Sequence, residues 1–264
     1  MKKYLKSIAA MAVISVMALG IAGCGSSDSK TDESSNANTE GTTTEEKDTL
    51  VVATNAEFPP YEYYEGQEIV GIDVEIMKAV GEKLGMEVTI EDMAFDSIIP
   101  AIQSGKADIG AAGMTVTEDR LANVDFTDTY CHASQAIIVN ASNEEIKTAD
   151  DLTGKTIGVQ LGTTGDMYAG DVTENVERYN KGFEAAMAVA QGKIDAVVID
   201  DQVAKSLAEG NDQLKVLDEP FTEEDYAIAV KKGNTELVEK INGALTELKE
   251  DGTIQSIIDK YIAE

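Results

Sequence analysis

The chain has 264 residues, 43% hydrophobic and 27% charged, which suits one large globular domain or two small lobes. Asp and Glu number 49 against 21 Lys and Arg, a formal charge of −28. Such a chain repels nucleic acid and anionic lipid head groups, so DNA and RNA binding are excluded.

Lys2, Lys3 and Lys6 precede an apolar run from Ile8 to Ile21, and small residues follow. This is the layout of an export signal, and the run falls short of the about 20 residues a membrane span needs. The segment Ile21-Ala22-Gly23-Cys24 resembles the lipobox of bacterial lipoproteins. That resemblance implies cleavage before Cys24 and a diacylglyceryl group on its sulfur. Residues 1–23 are the expected signal peptide, and 24–48 the lipidated cysteine with a disordered tether. Residues 25–48 carry no large apolar side chain and so cannot offset the entropy of ordering. Their reach is about 25–30 Å. Two acyl chains hold stably where one does not. The expected location is the outer face of a cell membrane, or the periplasmic side if the cell has two membranes. Only two cysteines occur, so a lipidated Cys24 leaves Cys131 without an intrachain partner. His132 follows Cys131, but neighbours in an extended segment point to opposite faces, so no Cys–His dyad is expected.

From Leu50 onward short apolar runs alternate with helical periodicity. Strands are predicted at Leu50–Thr54, Val88–Ile90 and Ala107–Ala112, with helices at Ile72–Leu84 and Phe95–Gln103 between them. Gly85 and Gly105 stop the helices. The second half repeats the beat: strands at Thr156–Gln160, Val176–Tyr179 and Ala196–Ile199, a helix starting at Thr164, and another over Phe183–Gln191. The echo extends to letters, Gly105-Lys106-Ala107-Asp108 against Gly192-Lys193-Ile194-Asp195. Strands alternating with helices imply parallel α/β sheets, here in two similar lobes. Ala136–Asn140 and Tyr226–Lys231 are the candidate crossover segments, giving lobe 1 as 49–138 with 230–264 and lobe 2 as 139–229. The tail helices Thr235–Lys249 and Thr253–Ile262 return to lobe 1. Two crossings make a hinge, and the cleft between lobes is the natural ligand site.

Several segments, in order, carry a family likeness. They include Val52 to Glu62 (VATNAEFPPYE), Val70 to Val74 (VGIDV), Phe95 to Ile102 (FDSIIPAI), Ala107 to Arg120 (ADIGAAGMTVTEDR), Val124 to Phe126, Gly162 to Thr164, Asp195 to Asp200 and Asp251 to Thr253. Together they resemble the extracellular solute-binding proteins of polar amino acid ABC transporters, the family of glutamine-, histidine- and lysine/arginine/ornithine-binding proteins. The resemblance covers residues 49–264. It implies a type II periplasmic-binding-protein-like fold and a monomer that captures a free amino acid. It also implies a membrane permease with its ATPase as partner, with no cofactor, metal or catalysis. A dehydratase-like enzyme on this fold and an amino-acid-sensing surface lipoprotein are the alternatives.

The residues themselves suit a zwitterion. Arg120 offers the planar fork that matches a carboxylate. Backbone N–H groups of Thr115 and Thr164 add donors. Asp200, at the end of a buried strand, can hold an ammonium, helped by the Thr115 hydroxyl and the Gly113 carbonyl; Asp200 can equally cap the next helix. By the resemblance, Gly113, Thr115, Arg120, Thr164 and Asp200 match the α-carboxylate and α-amine ligands. Asn55, Glu57, Phe58, Phe95 and Gln160 match the wall of the side-chain pocket. Relatives that bind cationic side chains often carry an acid at Asn55, and glutamine-binding relatives carry a lysine at Gln160; this chain departs at both. Glu57 would place a negative charge near the mouth. An acidic ligand is disfavoured, and basic or neutral polar amino acids remain, with a lean toward basic.

Overall fold

The computed structural model describes residues 49–262. The signal segment, Cys24 and the tether lie outside the described residues.

The first lobe is built on β1 (Thr49–Thr54), whose Leu50, Val52 and Ala53 are buried. A small antiparallel sheet follows, β2 (Glu57–Phe58), β3 (Glu62–Glu65) and β4 (Glu68–Val70). Sequence reading misses it because its strands are too short and polar to stand out as apolar runs. α1 (Ile72–Leu84) forms as predicted, burying the Ile72, Ile76, Met77 and Val80 stripe. β5 (Glu87–Asp92) extends the predicted strand at both ends. The predicted helix at Phe95–Gln103 divides into a 3-10 turn, Phe95–Ser97, and α2 (Ile98–Ser104). The strand predicted at Ala107–Ala112 is paired only at β6 (Ile109–Gly110). α3 (Glu118–Leu121) and β7 (Val124–Phe126) complete this pass.

The second lobe holds β8 (Cys131–Asn140), β9 (Ile157–Gln160), α4 (Thr164–Val172), β10 (Val176–Tyr179) and α5 (Gly182–Ala190). It continues with β11 (Ala196–Asp200), α6 (Asp201–Ala208), β12 (Leu214–Val216) and β13 (Thr222–Tyr226). The chain then returns through β14 (Ala229–Lys231) to α7 (Thr235–Glu250) and α8 (Thr253–Tyr261), which pack on α1.

Strand order is β5-β1-β6-β14-β7 in the first sheet and β10-β9-β11-β8-β12 in the second, with β13 also pairing β8. β1, β5 and β6 run parallel, as do β9, β10 and β11. Successive residues of β11 face opposite layers: Val197 and Ile199 join one apolar cluster, Val198 the other.

The crossings differ from those expected. β8 begins at Cys131 and lies wholly in the second sheet, so the boundary expected at 138–139 falls inside it. The segment expected as one strand, Tyr226–Lys231, is two strands in different sheets, parted at Ala227 and Ile228. Both passages therefore lie between lobes as short, mutually bonded links: Tyr130 N–H donates to Tyr226 O at 2.8 Å and Thr127 N–H to Ile228 O at 3.0 Å.

The repeated Gly-Lys-x-Asp has a shared structural meaning. Asp108 Oδ2 accepts from Val51 N–H at 2.8 Å, and Asp195 Oδ2 accepts from Thr156 N–H at 2.8 Å. Each aspartate also donates its own N–H back, to Val51 O at 2.9 Å and Thr156 O at 3.0 Å. In both lobes the acid opening the third parallel strand thus staples the start of the first.

Candidate functional site

The inner ends of the two sheets face each other, and residues from both lobes meet there in direct contact. Thr117 caps α3 by accepting from Arg120 N–H at 3.2 Å, which fixes the short helix that carries the arginine. The Arg120 side chain is 7% exposed and reaches across the gap. Nη1 donates to Thr115 O at 2.7 Å in its own lobe and Nη2 to Gly162 O at 3.2 Å in the other. Its guanidinium also lies 5.2 Å from the centre of the Phe95 ring, a cation–π contact. Burial pulls its pKa down, and the nearby Glu224 charge is the main opposing influence.

Opposite stands the start of α4. Thr163 caps it through Asp166 N–H, which places Thr164 at the first helical position with little exposure. Gly162 precedes it at φ 78, a left-handed turn where a side chain would be strained and where an added Cβ would sit 3.2 Å from Asp96 Cβ of the other lobe.

Asp200 is 0% exposed and fills both roles its position suggested. Oδ1 caps α6, accepting from Gln202 and Val203 N–H, each at 2.9 Å. Oδ2 accepts from Tyr226 Oη at 2.8 Å and Tyr61 Oη at 3.3 Å. Burial pushes its pKa up to about 7, with Asp201 adding to the rise while the helix cap and Tyr226 restrain it. Tyr61 and Tyr226 meet edge to face with centroids 5.2 Å apart, and Phe58 stacks on Tyr61 at 5.8 Å.

Gly113 lies against this aromatic group at φ 50. A Cβ there would sit 2.9 Å from Phe58 Cε1 and 3.2 Å from Tyr226 Cε2, so only glycine fits. Its N–H donates to Asp73 Oδ2 at 2.8 Å, and Tyr130 Oη donates to the same oxygen at 2.7 Å. Burial raises Asp73 to about 6; burial, then the Asp73 charge, raises Glu62 beside it well above the usual carboxylate range.

At the other end of the cleft Gln160 Nε2 donates across the lobes to Asn55 Oδ1 at 2.8 Å, and Asn55 Nδ2 donates to Met93 O at 2.9 Å. Gln160 Oε1 is buried with no hydrogen-bond partner. Glu57 is ion-paired with Lys181 of the opposite lobe. Of the ten residues picked from sequence, all lie on the cleft-facing ends of the two lobes or in the inter-lobe contacts just described. Sequence reasoning missed Tyr61, Tyr226, Asp73 and Glu224. Tyr61 and Asp73 fall inside the family-like segments, so their presence was legible but their hydrogen bonds were not. Cys131 is buried, its thiol pushed up to about 12 chiefly by burial, while His132 is exposed and pairs with Asp225. Among the described residues no group of three or more His, Cys, Asp or Glu is arranged to hold a metal ion.

A profile of the bacterial extracellular solute-binding proteins, family 3, matches residues 50–264. An arginine-binding extracellular protein of Bacillus subtilis is 33% identical over 268 residues, covering 99% of this chain and 98% of its own. Solved structures of an ancestral arginine-binding protein, one bound to arginine and one to glutamine, are each 44% identical with a TM-score of 0.78. The arginine form covers 82% of this chain and 99% of its own, the glutamine form 83% and 99%. The two-sheet α/β architecture is that of the type II binding proteins. With a match running the length of both lobes and relatives of this identity, the chain belongs to the bacterial extracellular solute-binding proteins of family 3.

Proposed function

We propose that this protein captures a basic L-amino acid outside the cell membrane and delivers it to an ABC permease driven by a partner ATPase. The observation that carries this reading is the state of Arg120. Its guanidinium is 7% exposed, and its two hydrogen bonds go to neutral carbonyls. Among the described residues it has no carboxylate within ion-pair distance. A buried cation with no carboxylate in direct contact is costly, and a ligand carboxylate supplies that contact with matching fork geometry. Asp200, across the cleft, is the counterpart for the α-ammonium, with the Thr115 hydroxyl and the Gly113 carbonyl beside it and the Thr164 N–H toward the carboxylate.

The wall supports a side chain that donates. Gln160 Oε1 is a buried acceptor awaiting an N–H, and Asn55 lies next to it. Phe58 and Phe95 supply flat faces that suit a guanidinium, ammonium or amide. Arginine binding in the relatives named above supports the basic end of this range. In this reading residues 1–23 are removed, Cys24 is acylated, 25–48 is the tether, and the monomer closes its two lobes over the ligand. A ligand shifts that closure only through its greater affinity for the closed form.

The test is a thermal-shift screen of the purified protein against the twenty amino acids at 1 mM. A ligand present at 1,000 times its Kd stabilises by about 4 kcal/mol, which raises the melting temperature by roughly 8–16 °C. Arginine, lysine or histidine is expected to lead. A flat response to every amino acid refutes the proposal. Palmitate labelling that survives Cys24→Ala refutes the anchor alone.

A further inference from the structure

Glu224 is outside the set of residues that the sequence singles out, yet it is bonded directly to one of them. It lies on β13, the last strand before the return passage, and is 5% exposed. Its Oε2 accepts from Thr115 Oγ1 at 2.9 Å and from Gln135 Nε2 at 3.0 Å. In the first of these bonds the Thr115 hydroxyl is the donor, and a hydroxyl owns one proton and two lone pairs. Thr115 therefore commits its proton to Glu224, and its lone pairs are what it offers the cleft. Without that acceptor the hydroxyl is free to rotate and to donate toward a carboxylate or a neutral oxygen.

A ligand that brings an ammonium meets an oriented acceptor at Thr115, and a ligand that brings only a carboxylate meets lone pairs there.

We propose that Glu224 is the residue that makes this cleft demand a free α-ammonium, by fixing the Thr115 hydroxyl as an acceptor. It acts as a positioning residue, through Thr115. The inference rests on the reading that the cleft takes a free amino acid.

The test is calorimetric titration of wild type, Glu224→Met, which removes the acceptor at similar volume, Thr115→Val and the double variant. The probes are L-arginine and 5-guanidinopentanoate, which is arginine without its α-ammonium; L-glutamine and glutaramate form a parallel pair. Glu224→Met is expected to lower the preference for the amino acid over its deaminated partner at least fivefold. In the Thr115→Val background the same change is expected to alter that preference less than twofold, because no hydroxyl remains to be oriented. A fall below fivefold in the single variant, or equal effects in both backgrounds, overturns the inference. Loss of affinity for both probes in equal proportion marks a merely structural role and overturns it too. If Glu224→Met does not fold, Glu224→Asp, which keeps the acceptor but withdraws it by a methylene, is expected to lower the preference at least twofold, and an unchanged preference overturns the inference. A wild type that binds neither amino acid sinks the proposed function instead, and is distinguishable on that ground.

Discussion

Arg120→Met separates binding from folding at one position. In the ligand-bound protein the loss of the guanidinium leaves the ligand carboxylate buried and unpaired, which costs about 2–5 kcal/mol for a close charge pair. At 1.4 kcal/mol per factor of ten, that weakens affinity by roughly 30- to 4,000-fold. In the free protein the balance is different. Two hydrogen bonds to Thr115 O and Gly162 O are lost, each worth about 1.5–3 kcal/mol for a charged donor. Against that, the methionine removes a buried cation whose desolvation is the main force on its pKa, and fills similar volume against the Phe95 ring. These contributions oppose each other, so the melting temperature without ligand is expected to move by no more than about 5 °C. The assay is calorimetric titration with L-arginine, paired with thermal melting of the free protein. A loss in affinity under tenfold with melting intact refutes the assignment of the carboxylate to Arg120. A collapse in melting shows that the arginine is a structural tie between lobes.

Protons are expected to leave on binding. Asp200 titrates near 7 in the free protein against about 3.9 when unfolded, and an ammonium beside it favours the charged form. Affinity should rise between pH 5 and 7, with proton release seen as a buffer-dependent binding enthalpy, and Asp200→Asn should abolish both. The raised Asp200 and Asp73 also make the folded state bind more protons than the unfolded one between about pH 4 and 7, so the ligand-free protein should lose stability as pH rises through that window. Denaturant midpoints that climb across the window contradict this. Gly113→Ala places a Cβ 2.9 Å from Phe58 at a left-handed φ and is expected to cost about 1–3 kcal/mol in urea unfolding; an unchanged midpoint refutes the packing argument. Lys181→Met breaks the inter-lobe pair with Glu57, but both side chains are partly in solvent, so affinity should fall less than about fivefold and lose some of its salt dependence.

The sequence made the α/β class, the duplicated beat and the cleft residues readable because each rests on local signals. α1 was legible to the residue: its apolar stripe repeats at helical spacing and Gly85 takes the left-handed stop. The Asp108 and Asp195 echo was legible as letters, while its meaning as a strand staple needed the partners Val51 and Thr156, both more than thirty positions away. The crossings were misplaced because Cys131 to Gln135 mixes exposed and buried residues, and because Tyr226 to Lys231 reads as one apolar run although Ala227 and Ile228 divide it between sheets. The pairing of Glu57 was not legible because its partner Lys181 lies in the other lobe, a distance no local pattern encodes. Glu224 carried no signal, being one acid within Thr222-Glu223-Glu224-Asp225.

Tyr226 closes β13, and the next two residues form the return passage. The same residue donates its hydroxyl to Asp200 and accepts the Tyr130 N–H from the outward passage. One residue thus joins the strap between lobes, through its main-chain carbonyl, to the carboxylate proposed for one pole of the cargo, through its hydroxyl. On that proposal a shift of the carboxylate bears on the strap itself, with no relay through intervening helices.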